Sequence, residues 1–112
     1  MLEEGDEVFI FCKSQGAWRV LDFLMHHKYN HLKIKVLSVD PHHWANGIRK
    51  MFNRPKLKAI NVPCINVYQT KHWPKGCFVG GAGNIHVEDS DFDHGNLVHH
   101  PAVTEVLKKT LQ

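Results

Sequence analysis

Three cysteines are the most reactive side chains in this chain of 112 residues. A thiolate attacks disulfides, so Cys12 or Cys64 could act as a nucleophile, and Cys64 and Cys77 could form a disulfide. Their odd number and wide spacing indicate neither a disulfide framework nor a Cys-x-x-Cys pair, which favours a reducing compartment. We expect three buried thiols that pack as small apolar side chains, with Cys12 the best placed of the alternative nucleophiles.

Histidines and acidic residues could bind metal ions. The chain has ten histidines, several of them adjacent, and imidazole is a common zinc ligand. None of these groups has the spacing of a zinc motif, so we expect solvated loop histidines and no metal site. Residues 89–95 are similar to a calcium-binding loop, but the glycine is displaced and the twelfth position is His100 rather than Glu. The sequence therefore predicts an acidic surface loop.

Composition and charge exclude several classes of protein. With 43% hydrophobic and 22% charged residues, the chain has the composition of one globular domain, and no apolar run approaches the ~20 residues of a membrane span. Basic residues cluster at 49–58, but the net charge of +3 is small, so we expect an acidic partner protein rather than nucleic acid. The amino terminus resembles neither a secretory signal nor a transit peptide, and we expect an intracellular reducing compartment, either the cytoplasm or an organellar matrix.

The apolar pattern predicts the elements that position these side chains. Four segments have the pattern of strands: residues 8–12, 32–39, 60–68 and 77–79. Three segments have the pattern of helices: residues 17–28, a segment that starts at Asp40-Pro41, and a segment that starts at Pro101. Residues 8–12 are apolar without interruption, which is typical of a central strand. The first two strands should be parallel because a helix joins them, and the last two should form an antiparallel hairpin.

Three motifs on these elements resemble those of glutaredoxins, a family of the thioredoxin superfamily. Cys12-Lys13-Ser14 is similar to the strand end that precedes the family's active site, and Asn61-Val62-Pro63 to a strand that opens with a cis-proline. Residues 80–85, with the sequence Gly-Gly-Ala-Gly-Asn-Ile, are similar to the family's Gly-Gly turn. The resemblance covers residues 7–85. It implies that residues 1–112 form a single thioredoxin-like α/β domain with a four-stranded mixed sheet, the order β-α-β-α-β-β-α and helices on both faces.

The active-site motif of that family is missing here. Gly16-Ala17-Trp18-Arg19 stands where glutaredoxins have Cys-x-x-Cys or Cys-x-x-Ser, so the resemblance implies no thiol–disulfide exchange at this position. The positions that hold glutathione in the family correspond here to Lys13, Val62, Gly80, Gly81 and Asn84. Asn84 replaces the usual Asp, which removes a negative charge that would attract the ligand's amino group. The resemblance therefore implies glutathione as an optional ligand, and we expect that no cofactor is required.

We accordingly predict a degenerate glutaredoxin-like domain without thiol–disulfide activity. It would act as a binding or structural module, such as an accessory subunit of a larger protein assembly, with a protein or a multisubunit complex as its partner. The alternative is a glutathione-dependent thiol oxidoreductase, or a glutathione-binding protein, that uses Cys12 or Cys64 as a non-standard nucleophile. In that alternative Lys13 would lower the pKa of the thiol.

Overall fold

The computed structural model of the protein describes residues 5–26, 32–42 and 60–111. Its elements in chain order are β1 (Glu7–Lys13), α1 (Ser14–His26), β2 (Lys33–Val39), β3 (Cys64–Gln69), β4 (Gly83–Val87) and α2 (Pro101–Leu111). A short 3-10 helix, Leu97–His99, precedes α2. None of the helices in these ranges is long and apolar enough to cross a membrane.

The four strands form one sheet in the order β1-β2-β3-β4, and every neighbouring pair is parallel. Parallel neighbours cannot be joined by a tight turn, so each connection must return along the sheet; α1 does this between β1 and β2. Because all four strands run in the same direction, their carboxyl ends meet at one end of the sheet. That end is where ligand-binding and catalytic residues collect in parallel α/β folds.

The thioredoxin-like mixed sheet expected from the sequence is wrong, although the coarser prediction of a small α/β unit with four strands is confirmed. The last strand is Gly83–Val87 rather than residues 77–79, and it runs parallel to β3. Side chains bind part of the backbone of residues 77–79 instead: the carbonyl of Cys77 accepts a hydrogen bond from Asn66 Nδ2 at 2.8 Å, and the amide of Val79 donates to Asn84 Oδ1 at 2.9 Å. The helix predicted after Pro41 lies mostly outside the described residues.

The predicted cis bond between Val62 and Pro63 is also wrong. Within the described residues the cis peptide bond joins Trp73 and Pro74. The strand expected from residue 60 begins at Cys64, directly after the proline. Pro63 has no N–H to donate, but its carbonyl accepts a hydrogen bond from the amide of Val36 at 2.9 Å, so it fits at the start of the strand rather than within it.

Apolar side chains pack on both faces of the sheet. Alternate residues of β2 point to opposite faces, so Ile34 and Val36 pack with α1 while Leu37 and Val39 pack towards α2. The α1 side is completed by Ala17, Leu21 and Leu24, and the α2 side by Val67, Leu97 and Val103. Burial of a Leu or Val side chain contributes about 1.5–3 kcal/mol each, so these two layers hold the strand ends in place.

Candidate catalytic site

Ser14 occupies the junction between β1 and α1. It is the first residue of the helix and directly follows Lys13, the last residue of the strand. Its φ angle is +62°, a region that residues other than glycine seldom adopt. Such a backbone conformation costs about 1–3 kcal/mol and is found mainly at functional sites, where the surrounding structure holds it in place. Ser14 itself is partly exposed.

Asp40 follows β2 at the same end of the sheet, and its side chain is only 1% exposed. The carboxylate accepts two hydrogen bonds from Gln69, one from the backbone amide to Oδ1 and one from Nε2 to Oδ2, each 3.0 Å long. Its Oδ2 lies 2.6 Å from Nδ1 of His94. The sequence indicated Asp40 as a helix cap, but the carboxylate binds a neighbouring strand and a distant loop instead. A buried carboxylate of this kind requires such partners.

His94 connects Asp40 to Ser14. Its Nδ1 lies 2.6 Å from Asp40 Oδ2, and its Nε2 lies 2.7 Å from Ser14 Oγ. A carboxylate can only accept hydrogen bonds, so the neutral imidazole carries its hydrogen on Nδ1 and donates it to Asp40. The Nε2 atom is then an acceptor, and the Ser14 hydroxyl donates to it. The three side chains form one directed chain of hydrogen bonds from hydroxyl to imidazole to carboxylate.

Gln69, which donates to the Asp40 carboxylate, is itself held by several hydrogen bonds. The side chain is fully buried; its Oε1 accepts from the amide of His72 at 2.9 Å, and its Nε2 also donates to the carbonyl of Pro74 at 2.9 Å. The backbone amide of Gly76 donates a hydrogen bond of 2.9 Å to the carbonyl of Gln69. A Cβ atom at Gly76 would collide with the Asp40 carboxylate, so only glycine allows this close approach.

The acidic segment predicted as a surface loop is confirmed as one, and it positions His94. Asp93 Oδ1 accepts the amides of Gly95 at 2.9 Å and Asn96 at 3.0 Å. Asn96 Oδ1 accepts the amide of Asp93 at 2.7 Å in return. These short-range bonds set the backbone around His94 without using its ring. In the part of the chain that the structure describes, no group of His, Cys, Asp and Glu side chains could hold a metal ion.

Two further aromatic rings extend from His94: His42 contacts it, and Trp73 contacts His42. The ring of His42 is buried and meets the His94 ring edge-on, with 5.8 Å between centroids. Trp73 meets His42 in the same way at 6.2 Å, and it is 69% exposed. The backbone amide of His42 donates to the carbonyl of Ser14 at 3.1 Å, which helps to hold the strained residue. The imidazole of His94 therefore packs against the ring of His42, which in turn contacts the exposed indole of Trp73.

The amino terminus of α1 supplies positive potential next to Ser14. The first amides of a helix, here those of Gln15 and Gly16, have no acceptor within the helix. With the helix dipole they favour negative charge at this position. Amides at the amino terminus of a helix can stabilise the oxyanion of a tetrahedral intermediate when they point towards it.

Cys12 and Cys64, the alternative nucleophiles, are poorly suited to that role. Burial, with a smaller contribution from Cys64, raises the pKa of Cys12 to about 12, and burial raises the pKa of Cys64 to about 11. Both are therefore neutral thiols near pH 7, and neither is the thiolate that attacks an electrophile. All three cysteines are free, so the disulfide between Cys64 and Cys77 is not formed; Cys77 is half-buried rather than buried.

The residues to which the resemblance assigned glutathione binding do not lie together in the structure. Lys13 is exposed at the end of β1, beside Ser14. Asn84 lies on β4, three strand spacings or about 14 Å across the sheet. Val62 packs against the α1 core, and the carbonyl of Gly80 accepts the amide of Ile60 at 2.8 Å. Gly81 has a φ of +79° and lies too close to the Ile60 carbonyl to accommodate a side chain.

Sequence reasoning missed this candidate site because each of its residues had another interpretation. Ser14 was part of the glutaredoxin-like motif, Asp40 was a helix cap, and His94 belonged to the acidic loop. The available signal was the pattern Cys12-Lys13-Ser14-Gln15-Gly16, in which a Ser-x-Gly sequence lies between a predicted strand and a predicted helix. Compared with models of known families, with curated proteins and with solved structures, the chain gives no match.

Proposed function

We propose that this protein is a serine hydrolase that cleaves carboxylic esters with Ser14 as nucleophile, His94 as general base and Asp40 as the residue that orients His94. The observation that carries the proposal is the continuous chain of hydrogen bonds, 2.7 Å from Ser14 Oγ to His94 Nε2 and 2.6 Å from His94 Nδ1 to Asp40 Oδ2. Because unrelated folds carry the same three groups, geometry and roles identify such a triad better than fold does.

The reaction begins when Ser14 Oγ attacks the ester carbonyl carbon. His94 Nε2 takes the hydroxyl proton, and Asp40 stabilises the imidazolium that forms. The tetrahedral intermediate carries its negative charge close to the first amides of α1 and collapses as His94 gives the proton to the leaving alcohol. Water then attacks the acyl group on Ser14; His94 removes its proton and returns it to Ser14 Oγ, which releases the carboxylic acid.

The local structure around Ser14 supports this role independently. A serine on a strained turn between a strand and a helix is similar to the nucleophile elbow of α/β-hydrolases, whose motif is Gly-x-Ser-x-Gly. Here Cys12 stands at the first glycine position and Gly16 at the second. The order of the three groups along the chain, Ser14 then Asp40 then His94, is also the order in those enzymes. The likeness lies in the site and does not assign the chain to that family.

A fluorophosphonate probe tests the proposal directly, because it reacts with an activated serine far faster than with an ordinary one. We expect a single covalent adduct, located on Ser14 by peptide mass spectrometry, and none in Ser14→Ala. Hydrolysis of a p-nitrophenyl ester should fall at least about 10³-fold in Ser14→Ala. Ser90→Ala is the matched control, since Ser90 is an exposed loop serine. The ester cleavage that remains in Ser14→Ala measures the background from the histidines.

The earlier predictions from the resemblance to glutaredoxins remain untested. A non-catalytic binding module, a glutathione ligand and a protein partner or multisubunit complex each stay predictions. Their premise is weaker because the mixed sheet is wrong. The alternative of a thiol oxidoreductase is disfavoured by the raised pKa values of Cys12 and Cys64. A folded protein that neither reacts with the fluorophosphonate nor hydrolyses esters would return the binding module to first place.

A further inference from the structure

Strand β1 is built like a central strand but lies at the edge of the sheet. Within the described residues its one neighbour is β2, so the hydrogen-bonding groups on its other side face outwards. Edge strands are usually protected by charges, prolines or bulges, which prevent pairing with another chain. The five residues between Glu7 and Lys13 are all apolar, and Phe11 among them is 38% exposed. No strand of the described residues pairs with this edge, so it can accept a further strand.

The opposite edge of the same sheet is protected. Strand β4 has five residues rather than seven, begins at Gly83 and carries His86 near its end. Exposed Glu88 follows it directly. A short strand with polar side chains is a poor template for pairing. The two edges of the sheet thus differ in chemistry, and only β1 offers an extended apolar ladder.

An apolar groove lies along β1 on the face that α1 covers. Its volume is about 480 Å³, and its lining includes Val8 and Ile10 of the strand and Val20 and Phe23 of the helix. Phe23 is 49% exposed. Apolar surface of this kind next to an open strand edge marks an interaction site rather than a solvated face.

We propose that two copies of this chain pair their β1 strands antiparallel, about a two-fold axis at Ile10, to form one continuous eight-stranded sheet. The sequence of β1, Glu-Val-Phe-Ile-Phe-Cys-Lys, is complementary to its own reverse. In this register Glu7 of each copy faces Lys13 of the other, so two opposite-charge pairs close the two ends. Phe9 of each copy faces Phe11 of the other, and Ile10 faces itself.

The pairing agrees with the side-chain directions in the strand. Residues opposite each other in an antiparallel pair point to the same face, and Glu7, Phe9, Phe11 and Lys13 are alternate residues on one face. The two-fold axis is perpendicular to the sheet, so both α1 helices lie on the same side of it. The two apolar grooves then flank the axis. Both Ser14 residues lie beyond the paired segment, at its opposite ends.

Charge reversal tests this arrangement. In sedimentation velocity over an about hundredfold range of concentration, the wild type should be a reversible dimer. Lys13→Glu places like charges at both ends and should raise the dimer dissociation constant at least about tenfold. The double variant Glu7→Lys/Lys13→Glu restores both pairs and should return the constant to within about threefold of wild type. Lys109→Glu, the same change on exposed α2, should leave it unchanged.

Three results would overturn the proposal. The first is a wild type that stays monomeric over the whole range. The second is a dimer that Lys13→Glu does not weaken, since the contact would then lie on another surface. The third is a Lys13→Glu variant that weakens the dimer while the double variant fails to restore it, although circular dichroism shows both to be folded. That result would exclude the pairing of Glu7 with Lys13.

Discussion

Two networks of hydrogen-bonded polar side chains differ in where they lie: one is at the carboxyl ends of the strands, and the other crosses the sheet from β2 to β4. One is the chain of hydrogen bonds from Ser14 through His94 to Asp40, which we propose is catalytic and call the catalytic chain. The other, which we call the amide network, consists of Ser38, Asn66 and Asn84. These three residues are register partners on adjacent strands. Ser38 Oγ donates to Asn66 Oδ1 at 3.0 Å, and Asn66 Nδ2 donates to Asn84 Oδ1 at 2.9 Å.

The polar groups of the amide network bind one another and nearby backbone groups. The amide group of Asn84 also accepts from the backbone amide of Val79 at 2.9 Å and donates to the carbonyls of Val79 at 2.8 Å and Ala82 at 3.1 Å. It contains no acid and no base. The catalytic chain, by contrast, contains a buried carboxylate and an imidazole and ends at a strained, partly exposed hydroxyl. A hydrogen-bonded network fixes the fold when every group is satisfied internally, and can do chemistry when it ends at a reactive atom.

The largest effect that separates the two networks is expected from Asp40→Asn. An amide would favour the tautomer with hydrogen on Nε2, which cannot accept the Ser14 proton, so kcat for ester hydrolysis should fall about 10³–10⁴-fold. Asp91→Asn, which removes the same charge from the exposed loop, should change kcat by less than about twofold. A folded Asp40→Asn variant with kcat close to wild type would show that Asp40 does not orient the base.

A change in the amide network should affect stability instead. Asn66→Ala removes the bond to Asn84 and leaves the carbonyl of Cys77 without its donor, so the free energy of unfolding should fall by about 2–4 kcal/mol. Chemical denaturation measures this, with exposed Asn61→Ala as the matched control. Below the denaturation midpoint, the fluorophosphonate should still label Ser14 at a rate similar to wild type. Abolished labelling in the folded variant would mean that the networks are coupled.

The smallest effect is expected from the thiols of Cys12 and Cys64. Cys12 lies next to the amide network, because it is the register partner of Ser38. Burial raises the pKa of Cys12 from 9.0 to about 12, and that of Cys64 from 9.0 to about 11. The unfolded thiols therefore lose protons first, so stability is maintained below pH 9 and declines as pH rises from about 9 towards 11. Thermal unfolding should show this decline, and Cys12→Ala/Cys64→Ala should reduce it. An equal decline in that variant would contradict the assignment.

The elements with strong local patterns were predictable, and the last strand was not. Residues 8–12 and 32–39 are close to β1 and β2, and the helix expected at Pro101 is present as α2. Residues 77–79 have a stronger apolar run than β4, yet β4 forms the strand because it pairs with β3 and anchors Asn84 in the amide network. Pairing partners lie far apart in the chain, so local apolar character could not distinguish the two segments.

Composition and periodicity by themselves determined that the chain is α/β, that β1 is strongly apolar and that residues 89–95, which include His94, form an acidic surface loop. Only the tertiary structure decided that the strands are all parallel and that Ser14, Asp40 and His94 meet. Ser14 and His94 are 80 residues apart, and Asp40 and His94 are 54 apart. No spacing rule relates such positions; they meet because parallel strands bring their carboxyl ends to the same end of the sheet.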